Sequence, residues 1–190
     1  MTKLLAVFIG SLAIVLSAYA QDESSGIYGD YEVNPGDILS VFIWGEEGLS
    51  KEVVVRPDGF VSYPLAGEIE VGGQTITQVT ASLERALATY MKSGAQVTVS
   101  MTQMSGNNIY VIGKVNKPGV FNMFAETDVS QALALAGGLN TFADENDIKV
   151  LRRDKTGVQT SIDFNYKAIR KGKDLSSNVI LRSGDVVVVP

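Results

Sequence analysis

Residues 96–108 read Gln96-Val97-Thr98-Val99-Ser100-Met101-Thr102-Gln103-Met104-Ser105-Gly106-Asn107-Asn108, and they set the organisation of the whole chain. Up to Gln103 the side chains alternate, with Val97, Val99 and Met101 on one side and Thr98, Ser100 and Thr102 on the other. A period of two marks a strand with one face buried and one face wet. The turn formers from Ser105 to Asn108 then stop it. Beyond them the pattern starts afresh, which divides the chain into two blocks, 31–104 and 105–190. Each holds about 75–85 residues, a size at which a lone core is marginal.

Upstream of this point, Asn34-Pro35-Gly36-Asp37 is a turn leading into Ile38–Trp44, which is almost wholly apolar. Such a run predicts a strand covered on both faces, with Trp44 in the core. Glu52–Val55 and Phe60–Leu65 flank the turn Pro57-Asp58-Gly59 and predict a hairpin; Glu68–Val71 adds a short strand. Thr75 and Gln78 spell a capping box. Ile76, Val79, Leu83, Leu87 and Tyr90 then recur at spacings of three and four, placing them on one helical face before Gly94 ends the segment.

Downstream, Ile109–Val115 and Val120–Phe124 read as strands around the turn Lys117-Pro118-Gly119. A short helix follows from about Asp128, capped by Thr127, striped by Val129, Leu133 and Ala136, and closed by Gly137-Gly138. Ile148–Arg152, Gly157–Phe164 and Val186–Val189 complete the block as strands, with one or two helical turns at Asn165–Lys171. The expected class is α+β, two small β-rich domains each with one main helix. A faint internal echo links Asn34-Pro35-Gly36-Asp37-Ile38-Leu39 to Arg182-Ser183-Gly184-Asp185-Val186-Val187: in each, a Gly-Asp turn launches an apolar strand.

The first twenty residues stand apart. Lys3 precedes an apolar core, Leu4–Leu16, and Ala18-Tyr19-Ala20 places small residues where a signal peptidase cuts. The core is short for a bilayer span, which takes about 20 apolar residues, so 1–20 reads as a signal peptide and 21–30 as a flexible lead-in.

Composition narrows function further. The chain contains neither histidine nor cysteine. Disulfides, thiolate sites and serine–histidine or cysteine–histidine catalysis are thereby excluded, along with most transition-metal sites. We expect no catalytic residue, no cofactor and no metal, hence no enzyme. Sixteen basic residues face 21 acidic ones, a net charge of −5, without the basic face that nucleic acid requires.

The motifs carry a resemblance. Tyr31-Glu32-Val33-Asn34-Pro35-Gly36-Asp37-Ile38-Leu39 and Val55-Arg56-Pro57-Asp58-Gly59-Phe60-Val61-Ser62-Tyr63-Pro64-Leu65-Ala66-Gly67 resemble the N-terminal domain of the outer-membrane polysaccharide export family. Tyr110-Val111-Ile112-Gly113-Lys114-Val115-Asn116-Lys117-Pro118-Gly119-Val120-Phe121, with the helix, Gly137-Gly138 and Ile148–Arg152, resembles the SLBB (soluble-ligand-binding β-grasp) domain that follows it in that family. The resemblance implies a periplasmic homo-oligomer that guides a polysaccharide chain without altering it. Implied partners are an inner-membrane polysaccharide co-polymerase and, because the chain lacks the lipidated cysteine and C-terminal amphipathic helix of self-sufficient members, a separate outer-membrane β-barrel. The alternative is a soluble carbohydrate-binding or signalling module of the SLBB type that forms no ring.

The motif residues expected to shape turns or interfaces are Pro35, Gly36, Asp37, Arg56, Asp58, Gly59, Pro64, Gly67, Gly113, Pro118, Gly119, Gly137 and Gly138. Arg56 and Asp58 are expected to form a local or intersubunit ion pair. Candidate polysaccharide contacts are Tyr63 and Tyr110, whose rings offer an apolar face with a polar tip, and Lys114 and Lys117 beside Pro118-Gly119; Trp44 could stack on a sugar ring in the same way, with core packing the stronger expectation for it. Asp58, Glu68 and Glu70 are the only carboxylates that invite a glycosidase reading, which would need a cleft between two of them.

Overall fold

The computed structural model describes residues 30–91, 96–154 and 156–190. The expected signal peptide, the expected lead-in up to residue 29 and Gly94 lie outside the described residues.

In the first block, β1 (Ile38–Ile43) is the middle strand of a three-stranded antiparallel sheet, between β2 (Lys51–Val54) and β5 (Val97–Gln103). Leu39, Val41 and Ile43 point into a core shared with Val53, Val97 and Val99. The helix α1 (Ile76–Leu87) covers that face with Val79, Leu83 and Leu87, all buried, each burial contributing about 1.5–3 kcal/mol. Its N-terminus is closed by the expected capping box of Thr75 and Gln78. Tyr90 lies past the helix end and is exposed, so the apolar stripe stops one turn earlier than its spacing predicts.

Two further expectations need correction here. β1 is not covered on both faces: Phe42 and Trp44 point away from the core and are 47% and 73% exposed. An apolar run does not distinguish a strand buried on two faces from one that alternates, and here Val41 and Ile43 are inward while Phe42 and Trp44 are outward. The second correction concerns the predicted hairpin. β3 (Phe60–Tyr63) pairs with β4 (Gly67–Glu70), not with β2. The exit of β2 is tied instead to the Gly36-Asp37 turn, since Gly36 N–H donates to Val55 C=O at 2.9 Å and Val55 N–H to Asp37 C=O at 2.9 Å. β3 then departs after a tight turn in which Gly59 N–H donates to Arg56 C=O.

The second block is a five-stranded mixed sheet in the order β7-β6-β10-β8-β9, formed by β6 (Asn108–Gly113), β7 (Gly119–Asn122), β8 (Ile148–Arg153), β9 (Gln159–Phe164) and β10 (Val186–Val189). The last strand enters the middle, parallel to β6 and antiparallel to β8, as a β-grasp arrangement requires. The helix α2 (Val129–Leu135) lays Val129, Ala132, Leu133 and the following Ala136 on one face of the sheet, over Ile109, Val111, Val150 and Val187. Its cap is Asp128, not Thr127: the Asp128 carboxylate accepts from Gln131 N–H at 2.8 Å, and Gln131 Oε1 accepts from Asp128 N–H at 2.9 Å. Thr127 is buried, and its hydroxyl donates to Ala125 C=O. A short helix, α3 (Tyr166–Arg170), follows β9.

Candidate functional site

The two Gly-Asp segments fold into the same device. In each, the aspartate N–H donates to the carbonyl three residues back, Asn34 at 3.1 Å and Arg182 at 3.0 Å. The carboxylate returns the bond by accepting from that residue's N–H, at 2.8 Å in both turns. Gly36 and Gly184 sit at φ +94° and +86°, and both carboxylates are fully buried. Asp37 also accepts from Tyr31 Oη at 2.7 Å and from Gly106 N–H at 2.8 Å. Burial, then the bond to Asp37, push the Tyr31 phenol well above its ordinary value. Asp185 instead receives the Arg152 guanidinium at 2.7 Å. The faint sequence echo is therefore a repeated backbone motif with a different fourth partner.

Arg56 forms exposed ion pairs with Asp58 and Glu68, both at 2.5 Å. These three residues fasten the turn to β4. The two carboxylates share one guanidinium on an open surface rather than flanking a cleft, and Glu70 is exposed at the end of β4. Among the remaining motif glycines, Gly59, Gly67, Gly113, Gly137 and Gly138 take positive φ, whereas Gly119 opens β7 in ordinary strand conformation. Gly113 faces the last strand so closely that a Cβ there would lie 2.0 Å from the Val189 carbonyl oxygen. Pro35 presents its carbonyl to Gly106. Pro64 precedes Leu65, which takes φ +63° in the β3–β4 turn. Pro118 leads from the β6–β7 connection into β7.

The four suggested polymer contacts separate. Tyr63 is buried, and its hydroxyl donates to Leu49 C=O; its ring is core packing and is not offered to a polymer. This corrects the reading of Tyr63 as a contact. Tyr110 is partly exposed on the outer face of β6, opposite Val120 and beside Val186. Lys117 is bound by its backbone N–H to Ala136 C=O at the end of α2, and its alkyl stem runs alongside Gly137. Lys114 is exposed, with its backbone tied to Val189 and Asn140. The structure does not bring Tyr63 together with the other three.

A recess that sequence reasoning did not find lies on the outer face of the first sheet. It is a shallow recess, open to solvent, of about 550 Å³, lined by Phe42, Ile43, Trp44, Gly45 and Glu47. It exists because β2 pairs β1 only from Ile38 to Val41, leaving the last part of β1 flanked on that side by the turn through Glu47. On its other side Phe42 is registered against Thr98 of β5. The signal in the sequence was the i, i+2 spacing of Phe42 and Trp44 opposite the hydroxyl side of β5. Among the described residues no cluster of acidic side chains could hold a metal, and no helix is long and apolar enough to cross a membrane.

An all-antiparallel block followed by a β-grasp block, with the junction held between two matching turns, defines an α+β protein of two successive blocks. Residues 26–102 match the polysaccharide biosynthesis/export protein family and residues 107–189 the SLBB domain, so the chain belongs to the polysaccharide export family. It is 30% identical, over 84% of its length and 47% of the relative's, to the EPS I polysaccharide export outer membrane protein EpsA of Ralstonia solanacearum. It is 29% identical to the polysialic acid transport protein KpsD of Escherichia coli, over 86% of this chain and 29% of that one. With the capsule polysaccharide export outer membrane protein CtrA of Neisseria meningitidis it shares 27% identity, over 83% of this chain and 43% of that one. The chain thus spans less than half the length of these curated relatives.

Proposed function

We propose that the chain is a periplasmic component of an exopolysaccharide or capsular polysaccharide export machine, acting as a homo-oligomeric conduit or adaptor between an inner-membrane co-polymerase and an outer-membrane pore. The observation that carries this reading is the succession of the two family domains, in order, over residues 26–189. Its mechanism is geometric rather than chemical. Copies related by rotation close into a ring when one surface of each packs on a different surface of the next. The second sheet offers a suitable surface, because the face not covered by α2 exposes Tyr110, Ile112 and Val120 on adjacent strands. Contiguous exposed apolar residues of this kind mark contact surfaces. No bond is made or broken by the chain in this reading, and the polymer passes as cargo.

Two measurements test it. Light scattering behind size exclusion should give a mass several times the 20.3 kDa of one chain, or rise towards it with concentration. Deletion of the gene should abolish or strongly reduce surface glycan. A solitary chain at every concentration, together with unchanged glycan output, would refute the proposal.

A further inference from the structure

We propose that the Phe42–Trp44 recess is a glycan-binding platform selective for uncharged pyranose stretches; this deepens the export reading above and rests on it. Phe42 lies on the outer side of β1 and Trp44 opens the turn that follows the strand, and both line the recess. Both are exposed, although aromatic side chains of this size normally bury most of their surface. Their neighbours are not apolar. Thr98 is directly opposite Phe42, and Ser100 and Thr102 continue the same side of β5. A row of hydroxyls beside two flat apolar rings matches a sugar ring, which has a C–H face to desolvate and hydroxyls around its edge to hydrogen-bond.

A protein partner would call for a contiguous apolar surface, and here Thr98, Ser100 and Glu52 separate the two rings from the exposed Val54 at the far end of the face. Charge then decides the class of sugar. Glu47 lines the recess and Glu52 lies on the outer side of β2, where its strand partner is Ser40. The cation of Lys51 is engaged elsewhere, over the Tyr63 ring at 5.8 Å. A carboxylate accepts hydrogen bonds from sugar hydroxyls but repels uronate, sialate or phosphate groups. Hexose or N-acetylhexosamine units fit, and acidic units do not.

Trp44 is the only tryptophan in the chain, so its emission reports on this face alone. The full chain should be titrated with maltoheptaose and N-acetylchitohexaose as uncharged probes, and with oligosialic acid as the acidic one. The expected result is a saturable blue shift with at least one uncharged oligosaccharide, retained at about 0.5 M salt and absent with oligosialic acid. Phe42→Ala should weaken that binding about tenfold, a factor of the size that loss of one stacking partner produces. Thr98→Arg should block it from an exposed position while leaving the melting curve unchanged. The platform is refuted if neither uncharged probe moves the emission, if only the acidic probe does, or if the shift follows protein concentration without sugar, which would make the face a contact between copies. In cells, failure here is separable from failure of the export reading. A deletion strain whose glycan is restored in full by a Phe42→Ala/Trp44→Ala chain refutes the platform alone, whereas a deletion that leaves glycan unchanged refutes the export role.

Discussion

The conformation of single residues does much to define the second block. Gly113 ends β6 at φ +94° with the Val189 carbonyl where a side chain would start. Gly113→Ala therefore carries two penalties, a left-handed backbone and a clash with backbone atoms that can yield only by moving β10 away. We expect it to cost about 3 kcal/mol or more in a urea titration. Gly119→Ala is the control: nothing lies within 4 Å of the added carbon and its φ is ordinary. It should change stability by no more than about 0.5 kcal/mol. Motif position alone does not distinguish these two glycines; only the distance to the neighbouring strand does. Tyr31 gives a pH-dependent case. Its folded-state pKa is raised, so the neutral phenol stabilises the fold fully below the ordinary tyrosine value near 10, and that contribution is lost as pH rises through the higher folded value. Tyr31→Phe removes the 2.7 Å bond to Asp37 and should be less stable at pH about 8. The gap between the two proteins should narrow steadily above pH about 10, and a constant gap would contradict the linkage.

At the scale of elements, legibility followed the strength of the local signal. The strand Val97–Gln103 was plain because its alternation is strict, and α1 because its stripe and its capping box agree. The α2 cap was misassigned by one residue, since Thr127 and Asp128 are both good capping types and only backbone direction decides between them. Asp128→Ala should cost about 1 kcal/mol by removing the bond to Gln131 N–H, and Thr127→Val should cost less, because the capping box survives it; thermal melts of the two variants check the order. The β2–β3 hairpin was misread for a different reason. A turn signal says that the chain reverses but not which strand receives the returning one, and here hydrogen bonds from the Gly36-Asp37 turn claim the end of β2. The i, i+2 spacing of Phe42 and Trp44 is visible in the sequence, but the recess itself depends on where β2 stops pairing, a tertiary fact that this spacing does not reveal. Tyr63 looked available for the converse reason, as nothing in its neighbours reveals that its hydroxyl meets Leu49 across the core.

At the scale of the whole molecule, the question is what makes two marginal cores behave as one protein without a disulfide. The hydrophobic clusters of the two blocks share no residue. Between them runs the segment around Gly106, which both Gly-Asp turns hold. Gly106 N–H donates to the buried Asp37 carboxylate at 2.8 Å, Gly106 C=O accepts from Ser183 Oγ at 2.8 Å, and two residues on Asn108 C=O accepts from Gly184 N–H at 2.8 Å. A side chain at Gly106 has no room, since its Cβ would lie 2.3 Å from the Pro35 carbonyl oxygen and 2.8 Å from Asn34 Cβ. The repeated turn thus does at the junction what neither core does alone: it fastens the start of the second block to the first through buried, fully bonded aspartate. It follows that Gly106→Ala should leave both cores intact while uncoupling them. Calorimetry should find one cooperative unfolding transition in the natural chain and two in the variant, because each block is then left with its own modest stability. Ser183→Ala, which removes one neutral bond on the second side only, should lower the midpoint by an amount equivalent to about 1 kcal/mol and keep the single transition. Identical thermograms for Gly106→Ala and the natural chain would mean that the junction carries no coupling, and the matching turns would then be no more than two independent ways of starting a strand.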